Sequence, residues 1–199
     1  MDNRSLKSLV LAAACLLVIT WAADASAAGS YRQGESRSDI GFKGWGPRLG
    51  FVDPDGPLDG TAELGVVFEL GEFTPHLKWD ASVSFWSTGR RYFYHNNNQD
   101  YWYDWRLRDF ILRTGVNYMF TDGEWIPYLG GGIGIHSYSW DYNDSPFYNN
   151  VSETRVGFYI DGGIEHQFTE SWTGQMQVQF DSADLDQTAL LLNLIYRLR

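Results

Sequence analysis

The stretch Arg155-Val-Gly-Phe-Tyr-Ile-Asp-Gly-Gly-Ile-Glu165 decides the fold. Val156, Phe158, Ile160, Gly162 and Ile164 take every second position, and Arg155, Gly157, Tyr159, Asp161, Gly163 and Glu165 fill the alternate ones. Side chains that recur with a period of two stand on one face of a β-strand, so this segment has an apolar face and a mixed polar face. Its neighbour repeats the pattern, with Trp172, Met176, Val178 and Phe180 against Gln175, Gln177, Gln179 and Asp181. Near the C-terminus Leu190, Leu192, Leu194, Tyr196 and Leu198 alternate with Ala189, Leu191, Asn193, Ile195 and Arg197. Upstream, Ala62, Leu64, Val66, Phe68 and Leu70 face away from Glu63, Gly65, Val67 and Glu69, and Leu77, Trp79, Ala81, Val83 and Phe85 face away from Lys78, Asp80, Ser82 and Ser84. Weaker segments at about 41–51, 105–120 and 126–140 bring the count to eight.

The links between these segments alternate in length. Short ones fall at Gly71–Pro75, Thr121–Glu124 and Thr169–Ser171, and longer polar ones at 52–60, 89–104, 141–153 and 182–187. Long loops at one end and tight turns at the other predict an all-β fold, an eight-stranded antiparallel up-and-down barrel. Bacterial outer-membrane barrels have this asymmetry, and an even strand count closes the sheet so that no strand edge meets lipid.

Composition agrees. The chain has 199 residues, 17% of them aromatic, with a net charge of −10. Its one long apolar run, Leu9 to Ala23, excludes a multi-span helical membrane protein, and the aromatic load excludes a disordered chain. Fifteen bases against 25 acids argue against a nucleic-acid partner, because such binding needs clustered cations. Arg4 and Lys7 before the apolar run, and Ala25-Ser26-Ala27 after it, read as a signal peptide over residues 1–27. Cys15 lies inside that run rather than at the start of a mature chain, so a lipoprotein is not indicated, and cleavage leaves no cysteine. A polar stretch, 28–40, then precedes the barrel, 41–199.

The charges separate by location. The long loops hold ten acids against Arg90 and Arg91, and the turns hold Glu72, Asp122, Glu124 and Glu170. The faces opposite the apolar ones mix Glu63, Glu69, Asp80, Asp109, Asp161, Glu165 and Asp181 with Arg48, Lys78, Arg113, Arg155 and Arg197. The apolar faces carry no acid, only Lys43, Arg106 and Arg108. A soluble lipocalin-type barrel would also show eight alternating strands, with its apolar face inward. Here the mixed face can pair with itself across a lumen, which favours the membrane arrangement.

The chain resembles the small outer-membrane β-barrel proteins of the porin family, the OmpA/OmpX-like group. The resemblance rests on Ile126-Pro-Tyr-Leu-Gly-Gly-Gly-Ile-Gly-Ile135 after an Asp-Gly turn, on Gly162-Gly-Ile-Glu-His-Gln-Phe168 before the next turn, and on the final alternating strand. It implies a location in the bacterial outer membrane. Members of the family usually finish on an aromatic residue, whereas this chain finishes Tyr196-Arg-Leu-Arg199, with Leu198 in the usual terminal place. No periplasmic domain follows the last strand, so the peptidoglycan anchoring of larger relatives is not implied.

Four functional expectations follow. An eight-stranded barrel is only wide enough to be filled by side chains, so Arg48, Glu63, Glu69, Lys78, Asp80, Asp109, Arg113, Arg155, Asp161, Glu165 and Arg197 are expected to pair across the lumen, a narrow ion path being the alternative. The loop segment that includes Tyr92, Tyr94, Tyr101, Trp102, Tyr103 and Trp105 suits a carbohydrate or protein partner, or else forms an aromatic girdle on a short strand extension. Arg106 and Arg108, beside a long loop, are placed to contact the head groups of outer-membrane lipid and lipopolysaccharide. Some related barrels modify lipid A with a His/Ser/acid site. The nearest approach here is His136-Ser137-Tyr138-Ser139, where His136 and Ser137 point to opposite faces, so no catalytic site is expected. No cofactor or dedicated metal loop is indicated, and the expected state is a monomer.

Overall fold

The computed structural model describes residues 38–56, 58–96, 99–143 and 150–198, without the side chains of 92, 94–96, 99–103 and 142–143. The expected signal peptide and most of the polar stretch after it lie outside the described residues. The strands are β1 (Asp39–Pro54), β2 (Thr61–Thr74), β3 (Leu77–Asn96), β4 (Gln99–Met119), β5 (Trp125–Asn143), β6 (Val151–Gln167), β7 (Trp172–Ser182) and β8 (Gln187–Arg197). Each pairs antiparallel with the next, and β8 pairs with β1 to close the barrel. Closure leaves no strand edge along the part of the wall that all eight strands share.

Burial follows the alternation. Leu64, Phe110, Ile133, Phe158, Ile160, Leu190 and Leu192 all point outward and are exposed, while Arg48, Glu63, Asp109, Arg113, Gln179 and Asn193 point inward and are buried. A continuous exposed apolar belt over a buried polar interior is the inverse of a water-soluble barrel. It requires hydrocarbon outside.

Small inward residues admit large ones. At Gly115 on β4, a Cβ would lie 2.2 Å from the Tyr159 hydroxyl and 2.5 Å from the Gly131 carbonyl oxygen. Glycine there lets the Tyr159 ring cross the lumen against the wall. Gly71 takes φ +97° opposite Ile40, where the β1–β2 register shifts, a conformation that other residues adopt only with strain.

Strand lengths differ from the sequence expectation. The described residues 89–96 and 99–104 are not a loop. They continue β3 and β4 in unbroken register from Gly89↔Arg106 to Asn96↔Gln99. Tyr, Phe and Trp favour strand backbone, and the two aromatic runs stand opposite one another in register, Tyr92↔Tyr103 to Tyr94↔Tyr101, where the ladder continues beyond the barrel. Strands β3 to β6 run 17 to 21 residues, whereas β7 and β8 have 11 each. A tilted membrane strand needs only about 9 to 11 residues, so one side of the barrel rises above the membrane belt and the other does not.

Candidate functional site: the lumen and its loop end

The lumen is built in levels. At the turn end, Lys78 Nζ donates to Glu165 Oε1 at 2.7 Å and lies 3.9 Å from Glu69. Arg197 bridges the same two acids, donating to Glu69 at 2.8 Å and to Glu165 at 2.9 Å. Two cations and two anions from β2, β3, β6 and β8 balance across the lumen.

Arginines organise the middle. Arg113 donates to Glu63 at 3.0 Å, Asp181 at 2.8 Å and the Ser84 hydroxyl at 2.8 Å. Arg48 donates to Ser82 at 2.6 Å and to Gln177 and Gln179 at 2.9 and 3.0 Å, with Glu63 at 3.9 Å. Both guanidiniums are buried, so the hydrogen bonds around them replace the water they have lost.

Asp80, Asp109 and Asp161 depart from the expectation of opposite-charge pairing. Asp80 accepts from the Asn117 amide and Asp161 from Gln177 at 2.6 Å. Asp109 Oδ2 and His136 Nδ1 share a hydrogen bond at 2.8 Å. Gln187 Nε2 reaches the same carboxylate at 3.5 Å from the opposite wall. The lumen thus depends on neutral partners, Asn117, Gln177, Gln179 and Gln187, that a search for opposite charges passes over. The run of alternate glutamines at 175, 177 and 179, all on the inward face, is the sequence signal that marks three of the lumen amides.

Toward the loop end, Val52, Trp86, Leu107, Ile111, Tyr138, Ala189 and Leu191 form one buried apolar cluster, with Leu58, Trp105, Trp140 and Leu185 packed against it. Two expectations are corrected here. Trp105 is not part of a loop surface, because it falls on the inward face of β4 and packs on this cluster. Arg155 does not join the lumen network. It sits above the point where β7 ends, 47% exposed, paired with Glu153 at 2.7 Å and Asp184 at 2.6 Å.

His136 is fully buried and stacks on Tyr138 with ring centroids 5.6 Å apart. It faces the lumen, away from the lipid surface where an acyl chain would have to approach it.

Arginines at the loop end are paired. Arg90 Nε donates to Asp59 at 2.7 Å, Arg91 to Asp104 at 2.7 Å, and Arg108 to Asp141. The Arg90 hydrogen bonds hold the Asp59 carboxyl below its usual pKa. Arg106 and Arg108 both lie on the outward face of β4, above Phe110, with Asp141 in register opposite Arg106. Lys43, the other outward-face cation expected, bonds Asp39 at 2.6 Å at the turn end. Of the loop-surface aromatics, the side chains of Tyr92, Tyr94, Tyr101, Trp102 and Tyr103 lie outside the described residues. Among the described residues no group of three or more His, Cys, Asp or Glu is arranged to hold a metal ion.

The family profile of the outer membrane protein β-barrel domain matches residues 10–197. No curated protein sequence matches the chain. Among solved structures, neisserial surface protein A is similar with a TM-score of 0.54 at 10% identity, over 79% of this chain and 96% of that one. The N-terminal barrel of Pseudomonas aeruginosa OprF gives 0.51 at 12% identity, over 79% and 99%. Ail, the attachment invasion locus protein of Yersinia pestis, in complex with the heparin analogue sucrose octasulfate, gives 0.50 at 16% identity, over 79% and 97%. At these identities the likeness is one of fold.

Proposed function

This chain belongs to the outer membrane protein β-barrel domain family and sits in the bacterial outer membrane, and we propose that it acts there as a closed, non-enzymatic monomer. Its role is envelope integrity or surface interaction through the loop end. The observation that carries this reading is the filled lumen. An apolar cluster lies across the loop end and an ion-pair set across the turn end, with hydrogen-bonded arginines between them. An ion passing through would have to shed water against apolar side chains and break buried ion pairs. Purified protein in planar bilayers is expected to show no sustained conductance. A steady open channel at neutral pH would overturn this reading.

The kind of surface partner follows from charge. Sucrose octasulfate, the molecule bound to Ail, is a polyanion. The loop end of this chain carries ten acids against five arginines, Arg90, Arg91, Arg106, Arg108 and Arg155, a net of −5. That field repels sulfated glycans and suits an uncharged carbohydrate or a basic protein segment. Arg106 and Arg108 serve the lipid side instead, contacting lipopolysaccharide phosphates. Intact cells are expected to show no retention on immobilised heparin at physiological salt, where screening lengths are about 8 Å. Non-enzymatic action is supported by the burial of His136, and unchanged lipid A masses on overexpression are the expected result.

A further inference from the structure

The barrel wall has two heights at its loop end. Pairing of β2 with β3 stops at Glu63↔Trp86, and pairing of β7 with β6 stops at Phe158↔Ser182, so β3 and β6 continue upward without a strand on those sides. Two links lie on the low side between these steps: β1–β2, described at residues 55, 56 and 58–60, and β7–β8, residues 183–186. Each sends one leucine inward and keeps its acids outward. Leu58 and Leu185 are partly buried against the apolar cluster that closes the lumen, while Asp55, Asp59, Asp184 and Asp186 are exposed.

Polar contacts tie these links to each other and to the tall strands. The Asp55 amide donates to the Asp186 carbonyl at 2.8 Å, which joins one link to the other. Arg90 on β3 clips the β1–β2 link, its Nε donating to Asp59 at 2.7 Å and a second guanidinium nitrogen to the other carboxylate oxygen. The Thr88 hydroxyl adds a neutral bond to the Asp59 carbonyl at 3.1 Å. Arg155 on β6 clips the β7–β8 link, with Nε 2.6 Å from Asp184, and its second partner, Glu153, lies on β6 itself and ties down no link. The joined links are therefore held to both edges of the tall sheet, by one arginine at each. The four clip side chains are 41% to 63% exposed. An ion pair so exposed is screened by salt and shifts an equilibrium by at most about fivefold, which is weak enough to open and close.

We propose that the two links act as one lid over the apolar cluster, held shut by the Arg90–Asp59 and Arg155–Asp184 clips and loosened by ionic strength. The proposal rests on the closed lumen argued above. Opening lifts Leu58 and Leu185 together, because the Asp55–Asp186 hydrogen bond couples the links, and it admits water to the loop end of the cluster. The ion pairs at the turn end stay as they are, so the event is a local opening and not an unfolding of the barrel. The salt content of the external medium thereby sets how often the barrel presents an apolar patch at its outer end.

The test places a single cysteine at Ala189, 1% exposed within the cluster, in a barrel that otherwise has none, and follows maleimide labelling in phosphatidylcholine nanodiscs. Ile195→Cys, 2% exposed in the lumen toward the turn end, is the control, and rates are taken relative to a free thiol at the same salt. Labelling of Ala189→Cys is expected to be slow at low salt. Raising salt from about 0.01 M to about 1 M cuts the screening length from about 30 Å to about 3 Å and should speed it several-fold. Asp59→Asn and Asp184→Asn should each speed it about two- to fivefold at low salt, and the double variant by roughly the product, with most of the salt response gone. Leu58→Ala should also speed labelling but keep the salt response, since it leaves both clips in place. An unchanged rate in the double variant, a salt response that it retains in full, or equal acceleration at Ile195→Cys would each overturn the lid. Labelling at the free-thiol rate with both clips intact would instead overturn the closed-lumen reading on which the lid rests.

Discussion

Replacing Arg113 by methionine keeps the bulk of the side chain and removes its charge. In the folded barrel Arg113 is 1% exposed and holds Glu63, Asp181 and Ser84 together from three different strands. Its loss leaves two buried carboxylates without their shared cation: Glu63 keeps Arg48 at 3.9 Å, and Asp181 keeps only a neutral donor, the Gln179 amide at 2.9 Å. Breaking a buried ion pair from one side costs about 3 to 5 kcal/mol, and here two pairs break together, so the upper end is expected. The assay is equilibrium urea unfolding in lipid vesicles, followed by tryptophan fluorescence and by heat-dependent gel migration. The triple variant Arg113→Met, Glu63→Gln, Asp181→Asn removes the orphaned charges as well and should recover most of the loss. A single variant less than 1 kcal/mol destabilised, or a triple variant no better than the single, would refute the view that the lumen is held by compensated charge.

Other consequences are open to the same kind of measurement. Leu192→Arg, on the outward face opposite Leu49 and Met176, is expected to cost about 2 to 4 kcal/mol in vesicles; a barrel with water outside would scarcely notice it. Gly115→Ala presses its methyl on the Tyr159 hydroxyl and should destabilise by about 1 to 3 kcal/mol, with partial recovery in the double variant Gly115→Ala, Tyr159→Phe, since the Gly131 carbonyl contact remains. At the loop end, Arg90 lowers the Asp59 pKa, so the pairing contributes at pH values above the ordinary carboxylate range and fades as pH falls through the lowered value. NMR titration of Asp59 should show a depressed midpoint that returns to normal in Arg90→Gln, and identical midpoints in the two proteins would contradict the pairing.

Much of the lumen was legible because facing is a local property. Alternation sends Glu63, Lys78, Arg113 and Glu165 to the same side of the wall whatever their partners. Partner choice was less legible. Arg113 finds Glu63 and Asp181, as opposite charge suggests, but Asp109 finds a histidine and Asp161 a glutamine. Arg155 shares the inward parity yet leaves the network, because its level lies above the end of β7. Strand ends were misplaced where the ladder carries β3 and β4 past the barrel, since a polar loop and a pair of protruding strands have similar compositions.

The sequence by itself determined the strand count, the direction of each side chain and the belt that meets lipid, because a period of two is written residue by residue and needs no knowledge of distant contacts. Only the tertiary structure decided which inward groups meet, which end of the lumen is apolar and where the wall is low. Those follow from inter-strand register and strand length, which bring Arg48 to Gln179, 131 residues away, and Arg197 to Glu69, 128 away. No local pattern encodes such separations.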